Sequence, residues 1–242
     1  MQNSGILPGL RIAGLGLFVE SEKTLVVGDL QLGFEESLNA QGVFIPRVNL
    51  KKCVKRLNEI FSELKEIDRI AINGDLKHEF GRISEQEWRE VVEVLQLMKR
   101  HAKEVIIVKG NHDIALGPIA GWENVKIVEQ LFLEKEKILI VHGHRVPESK
   151  EFNEAKILII GHEHPAIALH EGVKREKFKC FLKGKFREKT LIVIPSLTEL
   201  TTGTDVLNEK LLSPFLEKGI EEFEAWVIED KPYYFGKLKE LL

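Results

Sequence analysis

Five short apolar runs, each followed at once by residues that can bind a metal ion, constrain this sequence more than any other feature. The runs are rich in β-branched residues, so they predict buried strands. In α/β sheets, ligands collect at the carboxyl ends of strands. The runs end in Asp29-Leu30-Gln31, Gly74-Asp75-Leu76-Lys77-His78, Gly110-Asn111-His112-Asp113, His142-Gly143-His144 and Gly161-His162-Glu163-His164. This set of residue types predicts a two-metal hydrolase site at the strand ends.

The order of the remaining elements indicates an α/β fold in a single domain over residues 1–242. Helical spacing of apolar residues predicts a helix over 47–66, and Ser84 opens a second helix that runs to about Arg100. From Pro165 onward the pattern is mostly strand. Two facing mixed sheets with helices outside fit this order best. The long connection 32–46 is interpreted as a functional loop over the site, with a packed surface loop as the alternative.

Composition limits the classes of protein to consider. No apolar run approaches the roughly 20 residues of a membrane span, and the amino terminus lacks the pattern of a signal peptide. The two cysteines, Cys53 and Cys180, have no C-x-x-C partner and are interpreted as reduced thiols. We therefore expect a cytoplasmic protein. The net charge of −3 means that any surface for nucleic acid must be a local patch.

The ligand types indicate which metals the site would take. Two divalent cations roughly 3.5–4 Å apart need a bridging carboxylate, and Asp75 is the natural bridge. Histidine nitrogens, Asp oxygens and an amide oxygen suit Mn²⁺ first, with Zn²⁺, Fe²⁺, Co²⁺ or Ni²⁺ as alternatives. We expect a metal-bridging hydroxide to attack phosphorus and one imidazole to protonate the leaving oxygen.

The five motifs resemble the signatures of calcineurin-like metallophosphoesterases and occur in the order found in that family, over about 135 residues. The resemblance implies a four-layer α/β/β/α sandwich with its site at the top of two sheets. The run 74–88 further resembles an archaeal and bacterial branch associated with genes for DNA ligase and an Lhr-type helicase. That branch implies a role in DNA repair, DNA as substrate, and DNA ligase or a helicase as possible partners.

The resemblance also implies roles for individual residues. His112 would contact phosphate or act as general acid, and His78 would orient or assist it. His144 and Arg145 are further possible phosphate contacts. The first metal would be held by Asp29, Asp75 and His164, and the second by Asp75, Asn111, His142 and His162.

Gln31 departs from the family pattern, because most relatives have a His ligand at this position. A neutral amide oxygen is a poorer ligand than an imidazole. We therefore expect Gln31 to leave the first metal weakly bound, while Asp29, Asp75 and His164 keep the site in place.

The expected function is a metal-dependent phosphodiesterase, most simply a nuclease that acts on single-stranded DNA. Alternatives are a phosphodiesterase or phosphomonoesterase for small nucleotides and a non-catalytic scaffold with the same fold. Eight cations within residues 174–189, among them Lys177 and Lys179, suggest a ribbon that follows a phosphate backbone. A charged, solvated hairpin is the alternative reading of that segment. Lys177 and Lys179 alternate with Phe178 and Cys180, which predicts one inward and one cationic strand face.

Overall fold

The computed structural model describes residues 5–79, 83–171, 174–217 and 219–241. Residues 80–82, which belong to the run that carries the branch resemblance, lie outside the described residues. In the described ranges, no helix combines the length and the hydropathy needed to cross a bilayer.

The first sheet is formed by the amino-terminal half of the chain, and its strands pair in chain order. In the described ranges its strands are β1 (Gly5–Leu7), β2 (Leu10–Ala13), β3 (Gly16–Val19), β4 (Thr24–Val27), β5 (Ile67–Asn73), β6 (Ala102–Val108) and β7 (Lys126–Val128). Strands β1 to β4 pair antiparallel, whereas β4 to β7 pair parallel. The carboxyl ends of β4, β5 and β6 therefore lie side by side at one edge.

The second sheet is also mixed. Its strands are β8 (Leu131–Leu133), β9 (Ile138–Ile140), β10 (Ile157–Ile160), β11 (Pro165–Glu171), β12 (Lys174–Phe186), β13 (Lys189–Val193), β14 (Thr204–Asp205), β15 (Glu224–Ile228) and β16 (Pro232–Lys237). The order is β14-β11-β12-β13-β10-β9-β8, and β15 pairs with both β12 and β16. Because β9, β10 and β13 run parallel, β9 and β10 also end at one edge.

The two sheets pack face to face through apolar side chains. Val26 and Ala71 of the first sheet belong to the same buried cluster as Ile140, Ile159 and Phe181 of the second. The neighbouring strand residues face outward and are buried as well, which explains why these strands are continuous apolar runs. Each fully buried Val, Leu or Ile side chain contributes roughly 1.5–3 kcal/mol, so the strand ends rest on a rigid core.

Helices cover the outer faces. They are α1 (Phe34–Ala40), α2 (Asn49–Glu63), α3 (Glu85–His101), α4 (Gly117–Glu123) and α5 (Lys150–Glu154). The apolar sides of α2 and α3 bury the outer face of the first sheet, and α5 packs on the second. Ser84 begins α3 by accepting a hydrogen bond from the backbone N–H of Glu87. The predicted α/β sandwich of two mixed sheets flanked by helices is confirmed.

The connection 32–46 differs from the expected loop, because it contains α1. This helix has no apolar repeat that a sequence pattern would show. Tertiary contacts stabilise it instead: the Glu35 carboxylate accepts hydrogen bonds from the backbone N–H groups of Val48 (2.9 Å) and Asn49 (2.6 Å). These N–H groups lie at the start of α2, where helices leave donors unsatisfied.

Residues 125–133, whose apolar pattern alone would predict one strand, form two strands in different sheets. β7 pairs with β6 in the first sheet, and β8 pairs with β9 in the second. The chain crosses between the sheets at Glu129 and Gln130. Both halves carry the same apolar pattern, so the sequence does not show the crossing.

Candidate metal centre

The five strand ends predicted to carry the site converge at one edge of the sandwich. Asp29, Asp75 and Asn111 follow β4, β5 and β6 of the first sheet, whereas His142 and His162 follow β9 and β10 of the second. A hydrogen bond between His142 Nδ1 and the backbone carbonyl oxygen of Asn73 (3.1 Å) joins the two groups across the sheets. The metal-ligand types from both sheets thus meet in one place.

The backbone turns sharply at these strand ends. The φ angles are positive at Asp29 (55°), Gln31 (47°), Asp75 (45°), His162 (64°) and His164 (50°). Residues other than glycine adopt this left-handed conformation at a cost of roughly 1–2 kcal/mol each. Strain of this kind concentrates at functional sites, where the surroundings enforce it.

Two glycines leave room for the site. A Cβ on Gly74 would collide with the imidazole of His142, and a Cβ on Gly110 would collide with the carboxylate of Asp75. Gly74 also has a φ of 78°, which side chains disfavour. The glycine before Asp75 and the one before Asn111 are therefore required by close packing around the site.

The ligand set predicted for the second metal forms a tight cluster. One ligand atom from each of Asp75, His142 and His162 lies within 4.8 Å of the others. His142 Nδ1 donates to the Asn73 carbonyl oxygen, so Nε2 points to Asn111 Oδ1 (3.1 Å) and Asp75 Oδ1 (3.4 Å). The Nε2 lone pair of His142 faces two oxygen acceptors, so a cation or a proton must lie between the nitrogen and these oxygens. A backbone carbonyl that fixes the outer nitrogen is the usual support of a metal-binding histidine, and the set fits a divalent ion.

Two of the residues predicted for the first metal, Asp29 and His164, also lie together. Asp29 Oδ1 and His164 Nε2 lie 3.2 Å apart, and both are buried without a hydrogen-bond partner in the described ranges. The other carboxylate oxygen of Asp29 accepts a hydrogen bond from the backbone N–H of His162. Buried polar atoms nearly always have a hydrogen-bond partner, so these two atoms without one fit the ligand set of a metal ion. Gln31 lies two residues after Asp29, and its role as a ligand stays a prediction.

His112 lies beside the same carboxylate. Its Nδ1 donates to the backbone carbonyl oxygen of His78, which directs Nε2 to within 3.7 Å of Asp75 Oδ2. The ring of His78 stacks on that of His112 at 5.5 Å and contacts Phe34 at 4.3 Å. The structure therefore brings both predicted catalytic histidines together, with His78 holding His112 in orientation.

Asp113 joins two of the turns that carry the site. Its two carboxylate oxygens accept hydrogen bonds from the backbone N–H groups of Leu76 (3.1 Å) and Gly110 (2.9 Å). Burial raises the pKa of Asp113 to about 6. This side chain ties the turn after β5 to the turn after β6.

Asn49 supports the site and was not found from the sequence. Its side-chain N–H groups donate to the carbonyl oxygens of Leu30 (3.0 Å) and Gln31 (3.3 Å). Its Oδ1 accepts from the Thr198 hydroxyl at 3.0 Å, and the backbone N–H of Thr198 donates to the Asp29 carbonyl oxygen. Asn49 thus holds the Asp29 turn in its strained form. Its position at the start of a helix looks like an ordinary helix-terminal residue, so no sequence signal marks it.

The electrostatics of the cluster predict that metal binding releases a proton. Burial lowers the pKa of His142, but its hydrogen bond with Asp75 and the charges of Asp29 and Asp75 outweigh burial and raise that pKa to about 9. At pH 7.5 the metal-free imidazole is therefore protonated and must lose its proton to bind a metal.

We expect release of about one proton per ion at that cluster, and an apparent affinity for the metal that increases about tenfold per pH unit up to pH 9. Calorimetry in buffers of different ionisation enthalpy measures this, and a heat independent of the buffer would contradict it.

The four predicted substrate contacts lie in different surroundings. His144 and Arg145 line a cleft beside His142. Lys177 pairs with Glu209 (2.6 Å). Lys179 is only 8% exposed, and its ammonium group donates to the hydroxyl (2.7 Å) and carbonyl oxygen (3.0 Å) of Ser196.

The cationic face predicted for β12 is present at Lys177. It does not extend to Lys179, because the middle of the strand is covered on both sides. As substrate contacts, the four residues stay predictions.

Comparison with known proteins places these features in a family. Residues 22–218 match the calcineurin-like phosphoesterase family. A search of the curated proteins found no match. The nuclease MPE of Pseudomonas putida has a similar crystal structure, with a TM-score of 0.63 and 18% identity over 93% of this chain and 94% of that chain.

Two further structures are less similar. A protein of unknown function from Aquifex aeolicus gives a TM-score of 0.38 and 18% identity over 58% of this chain and 78% of that one. Vps29 of Entamoeba histolytica with bound Zn²⁺ gives a TM-score of 0.37 and 18% identity over 88% of this chain and 97% of that chain. At these identities the structural likeness concerns the fold, whereas the family match covers most of the sequence. The protein therefore belongs to the calcineurin-like phosphoesterase family, a family of metal-dependent phosphoesterases.

Proposed function

We propose that this protein is a dinuclear metal-dependent phosphodiesterase that hydrolyses single-stranded DNA. The observation that carries the proposal is the cluster of Asp75, His142 and His162, with the ring of His112 beside the same carboxylate. Asp29, Asp75 and His164 would hold one ion, and Asp75, Asn111, His142 and His162 the other. Bound ions at this place would polarise a phosphoryl oxygen and lower the pKa of water.

The protein's own residues would supply the proton transfer. The carbonyl oxygen of His78 fixes Nδ1 of His112, so Nε2 is the nitrogen that faces the centre. An imidazole held in this way can keep a proton at Nε2 and give it to the departing oxygen of a phosphodiester. The stack of Phe34 and His78 behind the ring limits its rotation.

A nuclease is favoured over other phosphoesterases by two likenesses. The relative from Pseudomonas putida is called a nuclease, and the run 74–88 resembles the branch associated with DNA ligase and helicase genes. We propose on this basis a role in DNA repair, with DNA ligase or a helicase as possible partners and Mn²⁺ as the metal. Small nucleotides are the alternative substrate class.

A substrate panel tests the proposal. The protein is assayed with Mn²⁺, Mg²⁺, Co²⁺ and Zn²⁺ on single-stranded DNA, duplex DNA, RNA, cyclic nucleotides and an aryl phosphodiester. We expect Mn²⁺-dependent cleavage with single-stranded DNA as the best polymer. Turnover of small diesters together with no cleavage of any DNA or RNA would favour the small-nucleotide alternative. Absence of turnover on every substrate with every metal would favour the scaffold.

Gln31→His tests the departure from the family pattern. The variant replaces a neutral amide with an imidazole, a better ligand for Mn²⁺ or Zn²⁺. If Gln31 weakens the first metal site, the metal concentration for half-maximal activity should fall, by roughly tenfold or more on the scale of a metal-site change. The maximal rate need not rise. An unchanged or higher metal requirement in titrations of activity would refute this explanation.

A further inference from the structure

A cleft of about 440 Å³ opens directly beside the second metal-ligand set. His142, Val141 and Val146 are among the residues that line it. His144 also lines it, and its buried Nδ1 has no hydrogen-bond partner in the described ranges. Ligand pockets of roughly 300–1,000 Å³ hold molecules of nucleotide size, so the cleft has room for a unit of substrate next to the reacting phosphate.

Two cations of this cleft converge on one carboxylate. Glu129 accepts from Lys109 Nζ at 3.3 Å and from an Arg145 guanidinium nitrogen at 2.6 Å. The Arg145, Lys109 and Glu129 side chains are 66%, 38% and 59% exposed. Lysine and arginine together offer eight N–H donors, and the described contacts with Glu129 use two of them. The remaining donors are available to a second acceptor.

The chain fixes the position of this triad, which consists of Lys109, Glu129 and Arg145. Lys109 comes two residues before Asn111, and Arg145 three residues after His142. Consecutive Cα atoms are about 3.8 Å apart, so each cation's backbone lies within roughly 8–11 Å of a predicted ligand of the same metal. Glu148 also lines the cleft, so the formal charges cancel overall. An anion is favoured by the positions of the two cations and not by the net charge. Lys109 and Arg145 meet at one point, which the Glu129 carboxylate occupies.

We propose that this cleft binds the phosphate next to the reacting one in a single-stranded polynucleotide. Lys109 and Arg145 hold that phosphate, and Glu129 occupies its place in the free protein and is displaced by it. The inference rests on the proposed nuclease function and names the path of its substrate. A phosphate suits this place because its oxygens, like those of the Glu129 carboxylate, can accept from the guanidinium fork and the ammonium group together.

Glu129→Gln tests whether Glu129 competes with the phosphate. The substitution removes the competing charge and leaves both cations free, so a fluorescent oligonucleotide should bind more tightly at low salt, by up to about fivefold on the scale of an exposed ion pair. Binding is measured by anisotropy in EDTA, where cleavage does not interfere. A purely structural triad predicts equal or weaker binding.

Glu104→Gln is the matched control. Glu104 is likewise held between two cations, Arg69 (3.0 Å) and Lys126 (3.1 Å), but it lies near the amino ends of the strands, at the opposite edge of the sheet. It changes the net charge by the same amount. The oligonucleotide affinity of Glu104→Gln should therefore match that of the wild type.

Lys109→Gln and Arg145→Gln complete the test. Each should reduce the log–log salt slope of oligonucleotide binding by about 0.7, the value for one phosphate contact on a single strand. Addition of both to Glu129→Gln should abolish the gain in affinity. Turnover of an aryl phosphodiester gives the baseline activity and should be unchanged in Glu104→Gln, which lies away from the cleft.

The outcomes separate the inference from the function on which it rests. If the wild type cleaves DNA but Glu129→Gln and the cation variants leave affinity and salt slope unchanged, the cleft assignment is wrong and the nuclease function stands. If the wild type neither binds nor cleaves oligonucleotides while the aryl diester is hydrolysed, both fail together.

Discussion

Asp75→Ala should abolish phosphoesterase turnover and weaken both metal sites. Asp75 is the carboxylate predicted to be shared by the two ligand sets, and its Oδ1 lies 3.4 Å from His142 Nε2. The hydrogen bond and charge of His142 outweigh burial and lower the pKa of Asp75 to about 2, so the group is an anion at any working pH. Enzymes accelerate reactions by roughly 10⁶-fold or more, and loss of the shared ligand should remove at least about 10³-fold. Rates with an aryl phosphodiester at saturating Mn²⁺ measure this.

Asp68→Ala serves as the control for Asp75→Ala. Asp68 lies on β5, the strand that leads to Asp75, near its opposite end, and pairs with Lys103 at the surface. Its replacement should leave turnover and metal binding unchanged. If Asp75→Ala kept a tenth or more of the wild-type rate while folded, the shared-ligand role would be wrong.

His112→Ala should keep metal binding but lose most turnover. General acid–base assistance is worth typically 10²–10⁴-fold, and His112 Nε2 faces the centre without belonging to either ligand set. Diesters with a poor leaving group should lose the most, because an aryl leaving group departs with less help from a proton. The measurement is kcat for two diesters of different leaving-group pKa, together with a metal titration.

His101→Ala is the matched control for His112→Ala. His101 lies at the carboxyl end of α3, where its ring stacks on Phe61, and its loss should not change kcat. Equal losses for good and poor leaving groups in His112→Ala would instead indicate that the ring positions phosphate.

The strands and the strand-end placement of the site residues followed from the sequence for a physical reason. Strands buried on both faces must be apolar throughout, and a polar residue such as Asp29 or Asn111 is then conspicuous where the strand ends. The pairing of the two sheets, the approach of His142 to Asn73 and the orphaned pair of Asp29 and His164 depend on contacts between distant segments. No local pattern carries that information.

Other features of the site look ordinary in the sequence. Glu35 and Asn49 read as surface residues of helices, yet both are buried and hold the turns near Asp29. Lys179 reads as part of a cationic ribbon, and the folded chain buries it against Ser196. Glu129 reads as one charge in a strand, and its pairing with Lys109 and Arg145 follows from the crossing between the sheets. In each case the fold around the residue, not its local sequence, decides its role.

Anomalous diffraction from crystals loaded with Mn²⁺ would locate the ions bound at this centre. We expect two peaks that share Asp75, one also bounded by Asn111, His142 and His162, the other by Asp29 and His164. The second of these peaks should be the weaker one, because Gln31 stands where an imidazole would bind. A map with no metal within bonding distance of Asp75 would contradict the account.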